Sequence, residues 1–267
     1  MDTSKTINNR ELTEQFIKHE AALKSYLYRM TACREVAEDI SQETFIRALD
    51  KLNTFKGRST IKTWLFSIAT HMALDHFRAR KRWSLEDIDK VKDIPITKDI
   101  KIRFQTLVVE SPHAKFEIKE HIDRCFTCIM KTLPIEQQIA FILKDVYQFK
   151  IQEITKIMRQ SAGVVKHLLH DARKQMKGIY ENRCSLINKE GVCHQCLTLN
   201  SYFNSNETLQ ERLSEIDMVN KSKKSDNHDE LFSLRAKLVQ AIDPINSKGA
   251  IIQNAIMEIT REVTEKS

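Results

Sequence analysis

Along nearly the whole of this chain apolar residues recur at every third or fourth position, and alternation at every second position is scarce. One stripe runs Leu12, Phe16, Leu23, Leu27, Met30, a second Val36, Ile40, Ala48, Leu52, and a third Ile61, Trp64, Leu65, Ile68, Met72. That period is the repeat of one face of an α-helix, so the spacing predicts an all-α fold. A 41% hydrophobic content over 267 residues can bury the cores of two or three small domains without requiring one large one. Only five glycines are present, and one of them, Gly57, falls in the connector between the second and third stripes. Ser59 or Thr60 can cap the helix that follows, which leaves Gly57 free to take a positive φ.

Charge divides the same region in two. The formal net charge is +7, which suits a polyanionic partner but decides little by itself. Residues 35–50 hold Glu35, Glu38, Asp39, Glu43 and Asp50 against Arg47, whereas residues 51–82 hold eight cations against Asp75. The two surfaces are therefore expected to meet different partners. No apolar run is long enough to cross a bilayer, and MDTSKTINNRELTEQ lacks the basic-then-apolar pattern of a secretory leader, so membrane insertion is not expected and a cytoplasmic location is. In a reducing compartment the six cysteines read as thiols or metal ligands before disulfides.

Periodicity also sets the expected organisation. An N-terminal helical domain spans 1–83. Residues 84–114 lose the helical period, carry Pro95 and Pro112, and read as a flexible linker able to reach about 100 Å when stretched. A second helical domain spans 115–180; its last helices, Ile151 to Met158 and Gly163 to Gly178, are separated by a short turn, the dimension of a helix-turn-helix. A helical, cysteine-bearing C-terminal extension fills 181–267.

Within this frame the segment AEDISQETFIRALDKLNTFKGRSTIKTWLFSIATHMALDHFRARKRW, 37–83, resembles region 2 of the extracytoplasmic-function sigma factors of bacterial RNA polymerase. LPIEQQIAFILKDVYQFKIQEITKIMRQSAGVVKHLLHDARKQM, 133–176, resembles their region 4. The resemblance covers roughly the first 180 residues and implies a non-enzymatic factor that binds core polymerase and promoter DNA, melts the minus-10 element and starts transcription. It assigns DISQETFIRAL to core polymerase, and Asp39, Gln42, Glu43 and Arg47 stand three to four residues apart on one helical face, able to present a single polar surface. It assigns the Gly57 loop to a flipped minus-10 base. Phe55, Lys56, Gly57, Arg58, Ser59 and Thr60 suit phosphate and an unstacked base; His71, where relatives usually have Asn, and the cations Arg78, Arg80, Lys81 and Arg82 complete the expected minus-10 surface. Trp64 is read as core.

For the minus-35 element the expected contacts are Ser161 as helix cap with Lys166, His167, His170, Arg173 and Lys174 on the exposed side; Val164, Val165, Leu168 and Leu169 are left for packing. Leu168 and Asp171 stand where relatives usually place Arg, so weak minus-35 readout is expected, with recruitment by a DNA-targeting partner as its consequence; an anti-sigma factor is a further candidate partner. A helix-turn-helix regulator with an N-terminal sensory or dimerisation module is the competing class. No glycine-rich phosphate loop, HExxH or nucleophile elbow supports an enzyme. Cys125 and Cys128, with Cys184, Cys193 and Cys196, read as a structural zinc site, a redox switch or buried apolar thiols, and the 64-residue spacer between Cys128 and Cys193 leaves the choice to the fold.

Overall fold

The computed structural model describes residues 7–77, 82–93, 97–111, 113, 115–204, 208–224 and 227–266. In chain order the helices are α1 (Asn9–Thr31), α2 (Arg34–Asp50), α3 (Ile61–Phe77), α4 (Leu85–Asp93), α5 (Lys98–Glu110), α6 (Ile118–Met130), α7 (Ile135–Phe141), α8 (Ile151–Met158), α9 (Ala162–Arg183), α10 (Gln195–Phe203), α11 (Leu209–Ser214), α12 (Asp217–Ser222), α13 (His228–Gln240) and α14 (Ala250–Lys266). No strand occurs among the described residues, only an isolated bridge that pairs Cys184 with Cys193. The all-α expectation holds.

Two compact units emerge: residues 1–81 with 134–171, and residues 82–133 with 172–267. They do not follow the expected boundaries at 83, 114 and 180, because the helix-turn-helix segment packs with the N-terminal helices.

In the first unit Asn8 caps α1 by accepting from the Glu11 N–H at 2.9 Å, and Ala32, at φ 56°, ends it in the left-handed region. The stripes then find each other. Leu12, Leu23, Tyr26, Leu27 and Met30 of α1 are fully or almost fully buried, as are Ala37 and Ala48 of α2 and Leu65, Phe66, Ala69 and Ala73 of α3. The small residues on α2 and α3 allow the helix axes to approach closely. Tyr26 and Thr70 hydroxyls meet at 2.8 Å inside this core, which removes the cost of burying either alone. Gln138 at the start of α7 donates to the Arg29 carbonyl at 3.0 Å, and Phe149 packs its ring 4.9 Å from that of Phe66. Region 134–171 is thereby fastened to the first three helices.

The second unit corrects the linker expectation. Residues 84–114 contain α4 and α5 because Ser84 and Thr97 each accept a backbone N–H from the first turn, Asp87 at 3.0 Å and Ile100 at 3.3 Å. Their short stripes are buried too: Ile88 and Val91 on α4, Phe104 on α5. Phe104, Phe116 and Ile122 share one hydrophobic cluster with Leu186, Leu199, Leu231 and Ile252. A tether would expose those side chains. Next to Phe104 on α5, Arg103 pairs with Glu258 and Glu262 of α14.

Candidate nucleic-acid interface

The loop before α3 has the expected shape. Gly57 takes φ 66°, a conformation costly for residues with a Cβ, and Lys56, Gly57, Arg58 and Thr60 are all exposed while Ser59 is half-buried. Thr60 is the residue that caps α3: its hydroxyl accepts the Thr63 N–H at 3.1 Å. Beside the turn, the rings of Phe55 and Trp64 lie 4.9 Å apart, both half-buried, so Trp64 is part of an aromatic ledge at the surface rather than core. His71, nearly two turns before the end of α3, bonds through Nδ1 to the Ser67 carbonyl at 2.6 Å. Arg78, Arg80 and Lys81 lie outside the described residues. Arg82 is in the second unit, where its Nε donates to the Leu133 carbonyl at 3.0 Å and its Nη2 to Met130 at 3.3 Å; it covers the carbonyl end of α6, as a cation there should.

A second element covers this loop. Lys156 on α8 donates to the Arg58 carbonyl, Thr63 donates to Glu153 at 3.1 Å, Ser67 to the Ile157 carbonyl at 3.3 Å, and the Lys62 ammonium sits 4.5 Å from the centre of the Phe149 ring. The loop and the first helix of the helix-turn-helix therefore share a surface.

The helix-turn-helix itself forms at the expected positions, α8 ending at Arg159 with φ 55° and Ser161 Oγ accepting the Val164 N–H at 3.3 Å. Along α9, Val165, Leu169, Ala172 and Met176 are buried, whereas Lys166, His167, His170, Arg173 and Lys174 are exposed. Val164 departs from expectation, being 43% exposed. Asp171 is not idle: its carboxylate lies 3.0 Å from His167 Nδ1.

On α2, Asp39, Gln42 and Arg47 are exposed and Glu43 is half-buried, with Arg47 Nε bonded to Glu43 Oε1 at 3.0 Å. Ile46, 51% exposed, stands among them. The helical period alone does not single it out. Its position seven residues after Asp39 and four after Gln42 puts it on the same face, and an apolar side chain ringed by polar ones has the make-up of an interface anchor.

Five of the six cysteines gather in the second unit. Cys125 of α6, Cys184 at the end of α9, Cys193, and Cys196 in the first turn of α10 line one cavity of about 40 Å³, together with Arg124, Tyr180 and Arg235. Burial pushes the Cys125 thiol up to about 12, with Cys193 adding to the rise; burial also raises Cys196, with Cys184, Cys125 and Cys193 around it. Cys128, one turn along α6 from Cys125, lines the same cavity, its thiol 3.6 Å from both Met257 Sδ and Arg124 Nη1. As the thiols are placed, no three His, Cys, Asp or Glu side chains among the described residues converge on one point at ligand distance.

These features define a helical transcription-initiation factor with a cation-flanked glycine loop and a polar helix face towards its N-terminus and a helix-turn-helix further on. Comparison with known proteins agrees. The Sigma-70 region 2 family matches residues 16–83 and the Sigma-70, region 4 family matches residues 123–176. The ECF RNA polymerase sigma factor SigX of Bacillus subtilis is 30% identical over 165 residues, 58% of this chain and 76% of that protein. SigM of the same organism is also 30% identical, over 155 residues, 58% of this chain and 86% of that protein. The sigma factor RpoE of Bartonella quintana, solved with the anti-sigma factor NepR, aligns over 63% of this chain and 96% of that one at 18% identity with a TM-score of 0.44, too distant to support a residue role. The chain belongs to the extracytoplasmic-function sigma factors of RNA polymerase. No described helix is long and apolar enough to cross a membrane.

Proposed function

We propose that the exposed face of α2 docks on core polymerase, that the Gly57 loop holds an extruded minus-10 base, and that α9 meets the minus-35 duplex. The observation that carries this reading is the positive-φ turn at Gly57 between exposed Lys56 and Arg58, beside the Phe55 and Trp64 rings. Extruding a base costs a few kcal/mol. Two cations for the backbone and a ring for the base are the groups that offset it. The chain performs no bond chemistry in this reading; the polymerase does, in the cytoplasm where both reside. Runoff transcription from a cognate promoter with core enzyme tests it directly, since a helix-turn-helix regulator cannot replace sigma and would give no promoter-dependent transcript.

On α2, Ile46→Asp is expected to weaken binding to core polymerase on the order of 100-fold, as loss of a central apolar anchor does, while Arg34→Ala, at an exposed i,i+4 pair with Glu38, changes it less than about threefold. Equal effects from both would move the docking site off this face. On α9, Asp171→Arg removes a negative charge beside phosphate, adds a cation, and frees His167. Affinity for minus-35 duplex in a gel-shift titration is expected to rise about tenfold at low salt and less at high salt; an unchanged affinity would place the duplex elsewhere.

A further inference from the structure

The cavity among the cysteines contains a charge imbalance. Arg235 is 1% exposed, yet its partners are soft: Nη2 lies 3.3 Å from Cys184 Sγ, Nε lies 3.3 Å from Met218 Sδ, and the guanidinium carbon is 3.6 Å from the centre of the Tyr180 ring. Arg124, 4% exposed, is similar, reaching Gln195 at 2.9 Å, Thr260 at 3.3 Å, Cys128 Sγ at 3.6 Å and the ring of His121. No carboxylate pairs with either among the described residues. Burying an uncompensated charge is costly, and a neutral thiol does not compensate it.

The backbone around the thiols is held with unusual care for a surface loop. Residues 184–193 close on themselves: Cys193 N–H donates to the Arg183 carbonyl at 2.8 Å, Ser185 N–H to the Cys193 carbonyl at 3.2 Å, and the Cys184 carbonyl accepts from Ile187 and Asn188 at 3.1 and 2.9 Å. Gly191 is required there, since a Cβ would stand 2.7 Å from the Cys184 carbonyl carbon and 2.8 Å from the Ser185 nitrogen. A chain reversal that brings Cys184 and Cys193 side by side, followed by Cys196 at a helix start, supplies three ligands from one short segment. Cys125 faces them from α6.

We infer that Cys125, Cys184, Cys193 and Cys196 bind one zinc ion as four thiolates, with Arg124 and Arg235 balancing the charge of the complex. Four thiols release four protons to solvent as they bind, and Zn²⁺ with four thiolates carries two negative charges. Two guanidinium groups then neutralise it. The cavity, about 40 Å³, exceeds the ~10–15 Å³ that a water molecule needs; the thiols must turn inward to reach the ~2.3 Å zinc–sulfur distance. Cys128 also lines the cavity, but its thiol is engaged by Met257 Sδ and Arg124 Nη1, and His194 is exposed; both stand outside the inferred ligand set. The ion pins the extension to α6, ahead of the helix-turn-helix in sequence.

The full chain, purified under reducing conditions, is expected to hold one zinc per molecule by elemental analysis. Replacement by Co²⁺ should give sulfur-to-metal charge transfer and the visible bands of tetrahedral cobalt with four thiolates. Cys184→Ser and Cys193→Ser should abolish stoichiometric zinc, Cys128→Ser and Cys33→Ser should retain it, and Arg235→Met should weaken zinc binding by about 10- to 100-fold, as removal of an outer-shell partner does. The cobalt spectrum of the wild type is independent of whether any variant folds. A folded, zinc-free wild type that takes up no Co²⁺, one that forms a disulfide among these four cysteines in place of binding metal, or a Cys128→Ser protein that loses zinc as Cys193→Ser does would overturn the assignment.

Discussion

Reversing charge at Lys56 and Arg58 together is expected to lower open-complex formation on the order of 100-fold while leaving affinity for core polymerase within about twofold. Both side chains are exposed on either side of Gly57, so the exchange disturbs no core and any fall in activity is electrostatic. On single-stranded DNA each phosphate that is no longer neutralised flattens the salt dependence by about 0.7 in log–log slope; the neutral pair Lys56→Ala and Arg58→Ala should therefore show a shallower slope as well as weaker binding to a minus-10 oligonucleotide. Gly57→Ala tests the geometry separately. It keeps both cations but strains a φ of 66°, and a fall in oligonucleotide binding with an unchanged salt slope is the expected signature. Permanganate reactivity of thymines in the melted region reads the open complex directly. If the doubly reversed variant opens promoters as well as the wild type, the loop does not hold the strand.

That loop is legible in the sequence because its signal is local: a glycine, two flanking cations, and a hydroxyl that caps the next helix. The same holds for α8 and for the exposed side of α9, where a period of three to four residues separates Val165, Leu169 and Ala172 from Lys166, His170 and Arg173. Residues 84–114 read as a linker because α4 is short and Pro95 and Pro112 bracket α5, whose apolar residues fall on more than one face. Phe104 is buried by residues distant in sequence, among them Phe203, 99 positions away and 5.1 Å from it. The cysteines resist sequence reading for a related reason. Spacing within C-x-x-C pairs Cys125 with Cys128 on one helical face, but which of them meets Cys184 and Cys193 depends on how α6 rotates against distant elements. Ile46 escapes differently: an apolar residue on a polar stripe breaks the pattern that a periodicity search rewards.

The most consequential feature that sequence could not reveal is that the Gly57 loop, which we propose holds the minus-10 strand, lies in one compact unit with α7, α8 and the first half of α9. A globule of about 120 residues spans roughly 35 Å. The minus-10 and minus-35 elements are about 25 base pairs apart, roughly 85 Å at ~3.4 Å per pair. One such unit cannot touch both, so the proposed contacts require α7, α8 and the start of α9 to leave α1–α3 when the promoter is engaged. Separation uncovers Ile154 and Ile157 of α8, both fully buried, at roughly 1.5–3 kcal/mol apiece, and releases the Lys156 hydrogen bond to the Arg58 carbonyl. Free protein should therefore be closed, with its own α8 against the strand-binding loop, and polymerase and promoter together must supply the opening free energy. Fluorophores attached through non-canonical amino acids at exposed Asn53 and Gln160 are expected to transfer energy efficiently in the free protein and to lose nearly all transfer in the open complex. Phe149→Ala removes the ring that packs at a tilt against Phe66 and receives Lys62, and should lower transfer in the free protein before any promoter is added. Transfer that stays high in a transcribing complex would mean that α9 does not reach the minus-35 element, and that upstream contacts come from another part of the assembly.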